Sequence, residues 1–120
     1  MDKQFDIIVV GGGLVGLSAA FKIQQKSPSK NILLIEKENE LSSHQSGRNS
    51  GVIHSGLYYK TGSLRASNCV AGRHALVTFA RKHNISHDVC GKLVVATNQK
   101  ELNTLPNLLK RGRDNGLQNL

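Results

Sequence analysis

Short, wholly apolar runs alternate along this chain with longer segments in which apolar residues recur every three or four positions. "FDIIVV" (residues 5–10) and "NILLIE" (residues 31–36) are continuous aliphatic runs, the pattern of strands buried on both faces. Between them, "LVGLSAAFKIQQK" puts Leu14, Leu17 and Phe21, with Ser18, on one helical stripe, and Pro28 ends it. Strand, helix and strand within the first 36 residues predict a right-handed βαβ unit with parallel strands.

Farther along, residues 63 to about 83 read as a helix, with Ala66, Cys69, Val70, Leu76, Val77 and Ala80 at helical spacing and Arg65, Arg73 and Arg81 free to reach solvent. "KLVVAT" (residues 92–97) predicts a third strand. Asn98 with Glu101 suggests a capping box opening a last helix, in which Leu102, Leu105 and Leu109 repeat and "DNG" (residues 114–116) marks the stop. Pro106 conflicts with that helix, because an interior proline costs about 3 kcal/mol; a kink or a late start is expected. Two strands, a helix and a loose third strand make a thin core. The chain is therefore expected to be the N-terminal portion of something longer.

Charge narrows the partners. Sixteen Lys and Arg against eight Asp and Glu leave a net +8, which suits an anionic partner. The excess lies after residue 40, where eleven bases face Asp88, Glu101 and Asp114 alone. With no Trp and 4% aromatic residues, the stacking platforms of single-strand nucleic-acid binders are missing, so no nucleic-acid partner is expected. Cys69 and Cys90 show no metal or disulfide spacing, which fits reduced thiols in a cytoplasmic protein. No signal peptide is visible, and the apolar runs are too short to span a bilayer. Any meeting with a membrane is expected at its inner surface.

Gly11-Gly12-Gly13-Leu14-Val15-Gly16 satisfies GxGxxG between a strand and a helix, a context that lifts an otherwise weak motif. Gly11 serves the tight turn, Gly13 lets the backbone approach a pyrophosphate at the helix N-terminus, and Gly16 lets helix and strand pack closely. Glu36 lies twenty positions beyond Gly16 at the end of the second strand, where an acid accepts from ribose hydroxyls and repels a 2′-phosphate. That disfavours NADP and leaves NAD and FAD.

The second strand runs into "SSHQSGRNSGVIHSGLYY" (residues 42–59), and "CGKLVVAT" (residues 90–97) follows. These runs resemble the FAD-dependent oxidoreductases of the D-amino-acid-oxidase superfamily, and within it the branch acting on L-2-hydroxyglutarate. The resemblance implies an α/β, Rossmann-like FAD-binding domain within a larger two-domain flavoprotein, with an excursion into the substrate domain starting after about residue 85. It implies FAD contacts from Gly11 to Gly16, Glu36 and Lys37, and from Ser43, Ser46, Asn49, Ser50 and Gly51. "IHSGLYY" is similar to the "IHGGLRY" type of run in glycerol-3-phosphate dehydrogenases, which makes His54 the candidate base on the substrate hydroxyl, or its hydrogen-bond partner. An imidazole suits that task near neutral pH. Ser55 stands where that relative has glycine, which counts against glycerol phosphate.

The implied chemistry is hydride transfer from C2 of a small 2-hydroxy acid to the flavin. Electrons then pass to a quinone or another acceptor, with peripheral contact at acidic lipid. Three alternatives stay open. One is a superfamily member acting on glycerol 3-phosphate or an amino acid. Another is an NAD-dependent dehydrogenase, which the long Gly/Ser segment opposes. The third is a basic nucleic-acid- or lipid-binding module, which Glu36 and the few aromatics oppose. His74, His83 and His87 read as surface residues, His44 as a flavin neighbour or a loop histidine, and Tyr58 and Tyr59 as one packed and one exposed residue at a strand start.

Overall fold

A computed structural model describes residues 4–120. Five elements follow one another: β1 (Ile7–Val10), α1 (Leu14–Lys26), β2 (Ile32–Ile35), α2 (Leu64–Lys82) and α3 (Gln99–Asp114). They fall into two compact units, the first reaching to Val52 and the second formed by Ile53–Leu120.

The first unit is the expected strand–helix–strand. β1 and β2 pair in parallel from Ile7 opposite Ile32 to Val10 opposite Ile35. The ladder continues at both ends, through Asp6 N–H to the Asn31 carbonyl (2.9 Å) and Gly11 N–H to the Ile35 carbonyl (2.7 Å). Asp6 pins the entry to β2 by accepting from Asn31 N–H (2.8 Å) and Lys30 Nζ (2.9 Å). The backbone bond from Asn31, then Lys30, holds its carboxyl below the usual value.

Two expectations need correction here. The strands are not buried on both faces: Ile8 and Val10 are 56% and 81% exposed. α1 covers the Val9 side of the sheet, and Ile8 and Val10 point away from it. The helical stripe also turns. Its half-buried face is Gly16, Leu17, Ala20 and Ile23, while Leu14 and Phe21 lie outward. The contact of Gly16 with the β1 turn sets that rotation, because the helix can approach the strand only where it lacks a Cβ.

In the second unit both long helices open on side-chain caps, of which the sequence predicted the one at Asn98. Ser63 Oγ accepts from Ala66 N–H (3.2 Å) at the start of α2. Its end turns through Asn84 (φ 54), with Ile85 N–H reaching back to the Ala80 carbonyl (2.8 Å). At α3, Asn98 Oδ1 accepts from Glu101 N–H (2.9 Å). The reciprocal half of the box is displaced by one residue, since Glu101 Oε2 takes Thr97 N–H (2.8 Å) and Oγ1 (3.0 Å). These bonds, the Thr97 backbone first, lower the Glu101 carboxyl from its ordinary value.

Pro106 does not delay α3, which starts at Gln99 and runs through it. The Leu102 carbonyl loses its partner there, on a residue that remains half exposed. Gly116 (φ +79) ends the helix, with its N–H on the Arg113 carbonyl (2.9 Å) and Leu117 N–H on Gly112 (3.0 Å). That double bond pattern is a Schellman motif.

The expected third strand does not form. Residues 92–97 belong to no strand, and Leu93 is 91% exposed. A strand needs a neighbour to take its N–H and C=O groups, and the one sheet among the described residues pairs β1 with β2 only. Tyr58 and Tyr59 likewise sit in a turn rather than at a strand start. Tyr58 is exposed beneath Lys92, and Tyr59 is half-buried beside Arg65.

Candidate functional site

The site grows from the turn between β1 and α1. Gly11 has φ +101, a conformation in which a side chain would be strained. A Cβ on Gly16 would overlap the Gly11 carbonyl oxygen, so this pair of glycines draws the helix N-terminus onto the strand end. α1 has no side-chain cap from its own N-cap residue, Gly13, and no acid in its first turn. Its positive dipole end therefore favours an anion.

The Ser-rich segment after β2 closes over this turn. Ser42 (φ 59) donates its N–H to the Gly12 carbonyl (3.0 Å). A Cβ on Gly12 would strike Leu41 Cδ2 at 2.5 Å and the Glu36 side chain at 3.1 Å. Ser46 Oγ reaches the helix end and accepts from Leu14 N–H (2.8 Å), 3.1 Å from where a Gly13 Cβ would lie. Thus the glycines serve the loop packed over them as well as the turn itself.

Glu36 is the centre of the arrangement. Its Oε2 accepts from Gly12 N–H (2.6 Å), and its Oε1 from the N–H groups of Lys37 (2.8 Å) and Glu38 (3.1 Å). The backbone bond from Glu38, then that from Gly12, keeps the carboxyl below its usual value. A carboxylate offers about four lone-pair sites, so three N–H donors leave acceptor capacity for a hydroxyl.

Beside it lies a groove of about 420 Å³ lined by Val10, Gly11, Gly13, Ile35, Glu36, Lys37 and His44. Val10 and Ile35 give it apolar walls and the anionic carboxylate gives it a polar end. These features fit the adenosine half of a dinucleotide: a flat base against aliphatic carbons, a ribose diol on the acid, and phosphates toward the α1 N-terminus.

The sequence-derived residues divide accordingly. Gly11, Gly13, Glu36 and Lys37 line the groove, while Gly12, Leu14 and Ser46 are joined to it by the bonds described. Val15 is exposed and contributes backbone alone. Ser43 Oγ donates to the Glu40 carbonyl (2.7 Å). Asn49 is engaged in its own turn, donating to Gln45 (3.1 Å) and Ser46 (2.7 Å) carbonyls and accepting from Gly51 N–H (2.7 Å). Ser50 and Gly51 lie outside the groove. His44 lines it and stands 3.0 Å from Glu38 Oε1. Sequence reasoning missed Leu41 and Ser42, because the positive φ of Ser42 that returns the chain over the turn is visible only in the structure.

His54 belongs to the second unit. Its side chain is exposed, and its carbonyl accepts from Cys69 Sγ (3.3 Å). The turn that follows rests on α2 through Gly56, which is buried with φ +94. The other histidines are exposed, as expected. No cluster able to hold a metal ion occurs among the described residues, nor does any helix long and apolar enough to cross a membrane.

Comparison with known proteins follows the same outline. The family model described as FAD dependent oxidoreductase matches residues 6–119. The chain is 52% identical, over 95% of its length, to an L-2-hydroxyglutarate dehydrogenase of Indibacter alkaliphilus, covering 29% of that protein. It is 47% identical over 98% of its length to the mitochondrial L-2-hydroxyglutarate dehydrogenase of Homo sapiens, and 45% over 97% to that of Dictyostelium discoideum, covering 26% of each. The chain thus spans between a quarter and a third of the length of these curated relatives.

Proposed function

The chain belongs to the FAD dependent oxidoreductase family, and on that premise we propose that it builds the dinucleotide-binding start of an enzyme oxidising L-2-hydroxyglutarate to 2-oxoglutarate. The observation that carries the FAD part is the closure of residues 41–46 over the glycine turn, with Glu36 joined to Gly12 beside an open groove. The substrate is inferred from the relatives, which are L-2-hydroxyglutarate dehydrogenases.

In this reading Glu36 and Lys37 hold the adenosine ribose and its surroundings. Gly11 to Gly16 and Ser46 take the pyrophosphate, with Ser43, Asn49, Ser50 and Gly51 completing the binding segment. FAD, when bound, supplies the acceptor for the C2 hydrogen and its electron pair. His54 receives the proton from the C2 hydroxyl oxygen, so that the carbonyl of 2-oxoglutarate forms without leaving an alkoxide. The chain after about residue 85 enters the substrate domain. The basic excess beyond residue 40 attracts a dianionic substrate and, in a cytoplasmic enzyme, the acidic inner face of the membrane, where a quinone takes the electrons.

The test uses the full-length protein as purified. A flavin absorption spectrum that bleaches anaerobically with L-2-hydroxyglutarate, and not with glycerol 3-phosphate or an amino acid, is the expected result. A colourless protein, or one bleached by those alternatives instead, overturns it. His54→Ala is expected to load FAD and to slow flavin reduction by about 10²–10⁴-fold, the range for losing a positioned base; reduction at the wild-type rate would move the base elsewhere.

A further inference from the structure

Asn115 lies far along the chain from the His54 turn, yet its amide is spent on it. Nδ2 donates to the carbonyls of Gly56 and Tyr59, both at 3.0 Å, across 59 and 56 residues of sequence. Helix capping does not require an asparagine at this point. Residue 115 has φ −85 and ψ 3, and the left-handed residue that ends α3 is the next one, Gly116. Nor does the amide gain on its other side, because Oδ1 is buried with no partner among the described residues. The residue is explained by its two donated bonds.

Those bonds complete a clamp around one short turn. Gly56 is pressed against α2, where a Cβ would meet Val70 Cγ2 at 3.3 Å and Cys69 Cβ at 3.6 Å. Cys69 Sγ holds the His54 carbonyl. On the α3 side, Gly112 leaves room for Leu57, since a Cβ there would lie 2.8 Å from Leu57 Cδ1. The backbone on which the exposed His54 imidazole stands is therefore fixed from two helices. A base on an otherwise loose surface loop would need such fixing to meet a hydroxyl repeatedly at one angle.

We propose that Asn115 is a positioning residue for His54, setting the imidazole through the Gly56–Tyr59 turn; this rests on the role given to His54 above. The full-length, FAD-loaded enzyme tests it by anaerobic stopped-flow reduction with L-2-hydroxyglutarate. Asn115→Ala is expected to lower the limiting reduction rate about 10–100-fold with little change in the substrate concentration at half-saturation. Hydrogen exchange in the peptide spanning residues 54–62 should rise. In a His54→Ala background the same substitution should change the rate less than about twofold, because the two residues act as one unit. Asn115→Asp, of equal size, replaces donors by acceptors facing two carbonyls and should behave like Asn115→Ala.

Additive effects, or a wild-type rate in both Asn115 variants while His54→Ala is slow, overturn the positioning role alone. A wild-type rate in His54→Ala overturns the earlier reading and this one with it. Failure of both Asn115 variants to retain FAD assigns the residue to the fold and likewise overturns the proposal.

Discussion

Among the described residues of the βαβ unit Gly12 alone is buried, whereas in the helical unit Gly56, Leu57, Ala66, Ala80, Gly112 and Leu117 are. The first unit holds its shape through contacts on the backbone of the glycine turn: Gly16 against the Gly11 carbonyl, the Glu36 carboxylate on Gly12 N–H, and Ser42 N–H on the Gly12 carbonyl. The second holds its turn with a few apolar side chains and one amide. The difference teaches where each unit tolerates change. Backbone against backbone has no give, while side-chain ends can move aside.

Alanine at the two close-packed glycines should break that symmetry. Gly16→Ala sets a methyl into a carbonyl oxygen and should destabilise the βαβ unit by about 2 kcal/mol, in the range for overpacking. The measurement is hydrogen exchange across residues 7–35 together with FAD retention in the full-length protein. A variant exchanging like wild type would show that the helix can slide freely on β1.

Gly112→Ala presses on Leu120 Cδ1 at 2.6 Å and Leu57 Cδ1 at 2.8 Å, with Leu117 Cδ1 at 3.8 Å, all ends of flexible side chains. The helix also gains up to about 1 kcal/mol from replacing glycine. The net change in protection of α3 should stay within about 1 kcal/mol. A loss as large as at Gly16 would mean that the core around Leu57 is as rigid as the glycine turn.

Acid should separate the units more gently. Glu36 titrates below its ordinary value of 4.5 in the folded chain, chiefly through the Glu38 and Gly12 backbone bonds. Its contribution is present above that value and lost as pH falls through the lower folded one. Glu101 is lowered too, mainly by Thr97, but its bonds are local to one helix start. Below pH 4.5, FAD retention should therefore fail before α3 frays, and Glu36→Gln should weaken FAD at neutral pH while flattening that loss. Absorbance of released flavin against pH checks both, and an unchanged acid profile in Glu36→Gln would remove the carboxylate from the site.

The parts legible in the sequence were those whose cause is local. Gly11 to Gly16 between two apolar runs, Ser63 and Asn98 at helix starts, and Asp114-Asn115-Gly116 at a helix end each carry their reason within a few residues. The strand expected at residues 92–97 failed because pairing depends on a neighbour that apolar composition cannot supply. β1 and β2 were read as doubly buried for the same kind of reason, since coverage depends on layers elsewhere. "DNG" disclosed the end of α3 but hid what Asn115 does with its side chain, whose partners lie more than fifty residues away. Glu36 was found by its spacing, yet its bond to Gly12 N–H could be seen only once the turn had form.

If the cofactor's pyrophosphate docks at this helix end as proposed, the hydroxyl of Ser46 on Leu14 N–H bears on how fast it can arrive. That amide already has an acceptor, so an incoming oxygen must trade places with one. The trade replaces a neutral acceptor by a charged one, a bond roughly twice as strong, and its net gain is the difference between the two. A serine released in this way can turn its own proton toward the newcomer. Ser46→Gly would leave the amide to water, and the on-rate of the nucleotide, more than its final affinity, would record the change.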